Sequence, residues 1–339
     1  MRKILVTGGA GYIGSHTVVE LVNAGFDPVI IDNFSNSEPR IIDGIEKITG
    51  RKVNFHEGDC NNLQFVKEVL IKEGNVSGVI HFAAYKAVGE SVAQPLKYYQ
   101  NNIGSLLTIL ESMKQHQVSN IVFSSSCTVY GEPEVLPVNE DSPFQIPESP
   151  YGNTKQICEE IIRDIALGKD TKINSVALRY FNPIGAHPSA NIGELPLGTP
   201  NNLVPFVTQT AAGLRDELTV FGGDYDTEDG TCIRDYIHVV DLAKAHVKAI
   251  KYLFGCDQHN SYETFNIGTG SGSSVLEIIN AFEEVSGIKL KYKIGERRDG
   301  DVMEVYGDVS KASSMMNWEA SLTVTEALSD AWRWQKKLK

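Results

Sequence analysis

The sequence predicts an α/β fold: a doubly wound parallel sheet covered by helices, with a second, smaller α/β unit beside it. Three observations predict this. Over the first 180 residues, short apolar runs alternate with longer stretches of helical period, the mark of parallel strands joined by helical crossovers. A glycine-rich turn, Thr7-Gly8-Gly9-Ala10-Gly11-Tyr12-Ile13-Gly14, links the first run to the first helical stretch. After Tyr180 the chain becomes rich in Pro, Gly and Asn, as in a long ordered loop or a passage between units.

The buried strands are expected at Lys3 to Thr7, Pro28 to Ile31, Val53 to Glu57, Gly78 to Ala83, Asn120 to Ser124 and Ile173 to Tyr180. Covering helices are expected at Tyr12 to Ala24, Pro95 to His116 and Ser149 to Leu167, where Ile103, Leu106, Leu107 and Leu110 illustrate the helical spacing. Beyond the loop, a helix is expected at Leu203 to Gly213, a strand at Leu218 to Phe221, and a strand end with its helix at Tyr236 to Phe254. The remainder reads as short strands and three helices. This organisation assigns 1–182, with a return segment at 231–258, to one unit, and 183–230 with 259–339 to the other.

The chain has 339 residues, 31 Lys and Arg against 43 Asp and Glu, a formal charge of -12, and no basic run. A nucleic-acid or anionic-membrane surface, which needs concentrated positive charge, is therefore not expected. No uncharged apolar stretch approaches the roughly 20 residues that span a bilayer, and the N-terminal apolar run is too short for a signal peptide. A cytoplasmic location is the default expectation. The five cysteines are widely spaced without CxxC, and the eight histidines form no HExxH. Reduced thiols and no metal are expected.

Glycines between a strand and a helix let the backbone approach a pyrophosphate, which the free N–H groups and dipole of the helix start favour. Asp32 ends the second strand, where a carboxylate can take the adenosine ribose hydroxyls and repel a 2′-phosphate. NAD is thus expected over NADP. Asp59-Cys60 and Phe82-Ala83-Ala84-Tyr85-Lys86 follow the third and fourth strands, at the strand ends where open α/β sheets bind ligands.

Tyr151-Gly152-Asn153-Thr154-Lys155 puts a phenol and an ammonium on one helix face. Chance produces such pairs, so location decides. The preceding strand ends in Ser124-Ser125-Ser126-Cys127-Thr128, which brings hydroxyls to the same sheet edge. A tyrosine titrates near 10 and is a poor base unless its pKa falls toward about 7, worth about 4 kcal/mol. Lys155 and a positive nicotinamide ring are suited to provide that.

The TGGAGYIG turn, the SSSCTVYG strand end and YGNTK together resemble the extended short-chain dehydrogenases/reductases, which have a Rossmann fold. Within them, KAVGES (Lys86 to Ser91), RYFNPIGAHPS (Arg179 to Ser189), PNNL (Pro200 to Leu203), DGTCIRDYIHV (Asp229 to Val239) and RRDGD (Arg297 to Asp301) resemble the epimerases of UDP-sugars over almost the whole chain. The resemblance implies interconversion of UDP-glucose and UDP-galactose. Tyr151 would take the proton of the 4-hydroxyl while a hydride leaves carbon 4 for NAD, and the 4-keto sugar would turn over before the hydride returns. Ser126 would bind the 4-oxygen, and Lys155 would hold the nicotinamide ribose.

Residue by residue, the resemblance also implies cofactor contacts at Gly8, Gly11, Tyr12, Ile13, Gly14, Asp32, Asn33, Ser35, Asn36, Ser37, Asp59, Cys60, Phe82, Ala83, Ala84, Lys86, Asn101, Ser124 and Phe181. Sugar-nucleotide contacts are implied at Lys86, Asn182, Asn202, Leu203, Arg234, Arg298 and Asp301, with the two arginines suited to bidentate phosphate binding. Val305 falls where related enzymes restricted to glucose and galactose carry a bulky Tyr, so an N-acetylated UDP-sugar is expected to fit. The helices at 95–116 and 149–167 are the expected homodimer face. Two rivals stay open. A nucleotide-sugar 4,6-dehydratase would carry an acidic pair where Cys127-Thr128 stands, and an NAD-sensing binding protein would usually have lost the Tyr or the Lys.

Overall fold

In the computed structural model, residues 1–169, 171–256, 260–298 and 301–338 are described. From the N-terminus the chain forms β1 (Lys3–Thr7), α1 (Tyr12–Asn23), β2 (Asp27–Asp32), α2 (Arg40–Thr49), β3 (Asn54–Glu57), α3 (Leu63–Glu73), β4 (Val76–His81), α4 (Val88–Ala93), α5 (Pro95–Tyr98), α6 (Gly104–Gln115), β5 (Asn120–Ser124), α7 (Pro150–Ala166) and β6 (Asn174–Tyr180). Then come β7 (Asn182–Ile184), α8 (Leu203–Ala211), β8 (Leu218–Phe221), β9 (Ile233–Arg234), β10 (Tyr236–His238), α9 (Val239–Gly255), β11 (Ser261–Ile267), β12 (Ser273–Ser274), α10 (Val275–Ser286), β13 (Tyr292–Gly295), β14 (Glu304–Val305), α11 (Ser310–Met316) and α12 (Val324–Lys337).

Seven strands form one parallel sheet in the order β11-β6-β5-β4-β1-β2-β3. The order reverses between β1 and β4, so the loops leaving those two strands diverge and open a crevice at the carboxyl edge. The strands read as continuous apolar runs because both sheet faces are covered. With side chains alternating in direction, Ile4, Val6, Ile30 and Ile80 join one core cluster, while Leu5, Val29, Ile31 and Val79 join the other. Helices α1 and α9 pack together on the first face, and α3 and α6 pack together on the second.

Two expectations are corrected. The sheet has seven strands rather than six, because β11 pairs in parallel with β6 from Ser261↔Asn174 to Ile267↔Tyr180. Ser261–Ile267 thus leaves the 259–339 segment assigned to the second unit, and Ala312, Met316, Trp318 and Trp334 also pack into the first face of the sheet. The helix expected at Pro95 to His116 is interrupted by a π-turn over Tyr99–Ile103. Of the expected return segment, residues 257–258 lie outside the described residues, as do Asp299 and Gly300 of the Arg297–Asp301 motif.

A separate apolar cluster, including Val207, Leu218, Val220, Ile278, Phe282 and Leu328, holds the C-terminal elements together. Capping boxes at Ser274/Glu277 and Thr323/Glu326 start α10 and α12. Among the described residues no helix is long and apolar enough to cross a membrane.

Candidate active site

The turn after β1 is built to bring backbone close to a ligand. Gly8 has φ +71 and donates its N–H to Ile31 O at 2.7 Å. A Cβ there would lie 2.9 Å from Ala83 N, and one on Gly14 would lie 2.2 Å from Gly8 O. Glycine at both positions therefore packs the turn against the β4 loop and the helix start against the turn. Gly11 caps α1, whose first turn has no side-chain cap and no acid, leaving a helix start open to an anion.

Asp32, 8% exposed, accepts from Ala10 N at 3.0 Å, Phe34 N at 2.9 Å and Ser37 Oγ at 2.8 Å. It therefore braces the glycine turn. A carboxylate has about four acceptor positions, which leaves one for a further hydroxyl. Ser35 N donates to Asn33 Oδ1 at 3.0 Å in the same loop. Across the β1/β4 switch point, Asn61 donates to Asp59 Oδ1 at 3.0 Å and to Asn101 Oδ1 at 3.1 Å. Cys60 is buried, and burial raises its thiol pKa, with the Asp32 and Asp59 charges adding to the effect. This cradle fits a dinucleotide. Gly14→Ala should therefore reduce the NAD carried by purified protein to about a tenth or less, since the clash is with backbone that cannot swing aside. Release of bound nucleotide by denaturation reads the content, and a wild-type amount would sink the assignment.

Ser149 caps α7 by accepting from Gly152 N at 3.2 Å, and Pro150 occupies its first turn. This fixes where Tyr151 and Lys155 point. Lys155 Nζ donates to Ser124 O at 2.6 Å and lies 5.9 Å from the Tyr151 ring centre. The Ser126 side chain is near enough to the Tyr151 hydroxyl to draw its pKa downward. Hence all three expected groups meet at the end of β5. The π-turn docks on α7 through Asn153 Nδ2 to Tyr99 OH at 2.7 Å and Asn102 Nδ2 to Thr154 Oγ1 at 3.1 Å.

In the chain alone burial dominates and, with Tyr180 nearby, holds the Tyr151 phenol well above its ordinary value, against the opposing effect of Ser126. Burial also lowers Lys155 from 10.5 to about 8. Ionisation of this phenol would need further positive charge at the site.

Farther out, Asn182 lies on β7 and Phe181 is buried behind it. Asn202 precedes α8, which Leu203 begins. Arg234 Nη2 and Arg298 Nη2 both reach Asp301 Oδ1, at 3.0 and 3.1 Å. The two arginines expected to clamp a diphosphate thus converge on one carboxylate. Val305, 4% exposed, pairs with Arg234 and packs with Val129, Tyr130, Val138 and Phe181. Ile13 lies in the first turn of α1, Asn36 in the loop after β2 and Ala84 in the loop after β4.

Two residues escaped the sequence reading. Tyr180, on β6, shares a 2.8 Å hydrogen bond with Ser124 Oγ, beside the Lys155 anchor. Glu194 accepts from Lys86 Nζ at 3.3 Å and from Asn202 Nδ2 at 2.5 Å. Tyr180 falls within the Arg179 to Ser189 motif, which assigned it no role, and Glu194 stands in no motif.

A glycine turn at the switch point of a doubly wound sheet, with Ser126, Tyr151 and Lys155 gathered beside it, defines a short-chain dehydrogenase/reductase. The family described as GDP-mannose 4,6 dehydratase matches residues 5–331. The chain is 51% identical to the UDP-glucose 4-epimerase of Mus musculus, an alignment covering 99% of this chain and 97% of that protein. It is 50% identical to the UDP-glucose 4-epimerase of Bacillus subtilis (strain 168), covering 98% and 96%. The crystal structure of UDP-glucose 4-epimerase from Bifidobacterium longum in complex with NAD+ and UDP superposes with a TM-score of 0.94 at 46% identity, covering 99% and 98%. The chain belongs to the UDP-glucose 4-epimerases, within the broader family that the GDP-mannose 4,6-dehydratases name.

Proposed function

We infer that the protein is an NAD-dependent isomerase that interconverts UDP-glucose and UDP-galactose by transient oxidation at carbon 4. The observation that carries this is the meeting of Ser126, Tyr151 and Lys155 at the carboxyl edge of the sheet, next to a cradle fitted to a dinucleotide. When bound, NAD supplies a hydride acceptor and a positive ring beside the phenol. The chain's own residues do the rest. Gly8, Gly11 and Gly14 admit the pyrophosphate to the α1 start, and Asp32 takes a ribose hydroxyl. Tyr151 removes the proton from the sugar 4-hydroxyl, Ser126 orients that oxygen, and Lys155 contributes positive charge while staying anchored to Ser124 O. When the 4-keto sugar presents its other face and the hydride held by NAD would return to carbon 4, Tyr151 gives the proton back to the oxygen and the centre is inverted.

On this reading Asn182, Asn202, Leu203, Arg234, Arg298 and Asp301 hold the UDP moiety, with Asp301 orienting the two guanidinium groups toward the diphosphate. The cofactor unit comprises 1–182, the return segment and β11, and the remaining C-terminal elements form the sugar-nucleotide unit. The absence of an acid at Cys127 and Thr128 disfavours a dehydratase, which needs one to eliminate water. Purified protein given UDP-galactose and no added reductant should yield UDP-glucose, and no conversion would overturn the reading.

In the same assay UDP-GalNAc should yield UDP-GlcNAc, because Val305 is smaller than the Tyr expected at this position in relatives restricted to glucose and galactose. Turnover of UDP-galactose alone would refute this. We also propose a homodimer through α4 to α7. Val92, Leu96 and Leu107 are 60%, 66% and 47% exposed there, an apolar face suited to an isologous contact. Sedimentation at micromolar concentration should give twice the chain mass, and a monomer would exclude it.

A further inference from the structure

An acidic side chain is out of place in a cleft that admits two diphosphates, unless its charge is used. Glu194 is such a residue. Its side chain is 12% exposed, and its carboxylate accepts from Lys86 Nζ at 3.3 Å and Asn202 Nδ2 at 2.5 Å. Its main-chain oxygen accepts from Trp334 Nε1 at 2.8 Å, and a Cβ on the preceding Gly193 would lie 2.5 Å from the Trp334 ring. Trp334 on α12 therefore fixes the position of the segment. On the cofactor side, Lys86 Nζ lies 6.0 Å from the Tyr12 ring centre, and the charge of Glu194 adds to burial in raising the Tyr12 pKa. The carboxylate is thus rigidly held between the α1 start and the sugar-nucleotide loop.

We propose that Glu194 restricts the sugar site to uncharged hexoses by engaging the Lys86 ammonium, which an acidic sugar substituent would otherwise use. The inference rests on the reading above that Lys86 and Asn202 contact the sugar nucleotide. Lys86 and Glu194 together carry no net charge, so a carboxylate entering beside them finds its cation already paired and a like charge next to it. The hydroxyls of a neutral hexose meet no such repulsion, and the held ammonium can still donate to them. Glu194 acts through Lys86 and is a positioning residue, not a catalytic one.

Glu194→Gln tests this, because the amide keeps the size of the side chain and an oxygen for Asn202 while removing the charge. Inhibition constants for UDP-glucuronate and UDP are measured against UDP-galactose turnover by the NAD-bound enzyme. The ratio of the UDP-glucuronate to the UDP constant should fall about tenfold in Glu194→Gln, and raised salt should shrink that gain. Lys86→Met provides an independent arm: it leaves Glu194 unopposed, and the ratio should rise by a similar factor. A loss of packing alone would move both constants together and leave the ratio fixed. Ratios within about twofold of wild type in both variants would overturn the proposal, with UDP binding and UDP-galactose turnover by the wild type showing that the functional reading itself stands. Failure of the wild type to bind UDP would remove that reading and this inference with it.

Discussion

Tyr151→Phe should lower UDP-galactose turnover by about a thousandfold, in the middle of the 10²- to 10⁴-fold range of general acid–base catalysis. The variant keeps the ring, which is buried at the start of α7, and loses only the hydroxyl. Packing around Lys155 is therefore preserved, and the ammonium stays anchored to Ser124 O. NAD content and the KM for UDP-galactose should stay within a few-fold of wild type. That split is informative, because loss of an interaction used only in the transition state lowers kcat and kcat/KM together. Turnover above about a tenth of wild type would show that another group takes the proton. Tyr180 would be the first to examine, since its hydroxyl lies at the same sheet edge in contact with Ser124.

The sequence exposed the parts of this protein whose signals are local. The runs at Lys3–Thr7 and Asn120–Ser124 declare buried strands because both faces are covered, and the Gly8 to Gly14 spacing declares its turn because no other residue tolerates those contacts. The seventh strand was hidden for a physical reason. Ser261–Ile267 mixes polar with apolar residues and is half-covered over its first four positions. Its partner β6 lies some eighty residues earlier, beyond most of the second unit. The π-turn at Tyr99–Ile103 leaves the apolar period almost intact, so periodicity reads straight through it. Charge was the least legible property. Lys155 with a positive nicotinamide ring is expected to lower the Tyr151 pKa, and in the chain alone burial, which spacing does not report, moves the phenol upward and the ammonium downward. Glu194 is one acid in a Gly- and Pro-rich loop, and only the fold shows that it meets Lys86.

Glu159→Gln should be the most damaging substitution for stability, with unfolding free energy falling by about 3 to 5 kcal/mol. Glu159, 1% exposed, takes Arg179 Nη2 at 2.8 Å and Nε at 3.1 Å, Tyr262 OH at 3.0 Å, and a short hydrogen bond from Ser125 Oγ. Arg179 in turn donates to Tyr130 OH and to Glu140 O, both at 3.1 Å. The Glu159 charge holds the guanidinium pKa above its ordinary value despite desolvation. An arginine cannot shed its proton, so a neutral partner leaves a buried cation without compensation. The same carboxylate secures Ser125, between the Lys155 anchor at Ser124 and the Tyr151 partner at Ser126, so turnover should fall along with stability. Denaturant unfolding of the NAD-bound protein measures the first effect. Glu159→Leu with Arg179→Met should recover part of the loss, because the unpaired charge is then gone and apolar groups of similar size fill the space. A single-variant loss under about 1 kcal/mol would mean that water or a rearranged Tyr130 solvates the Arg179 charge as well as Glu159 pairs with it.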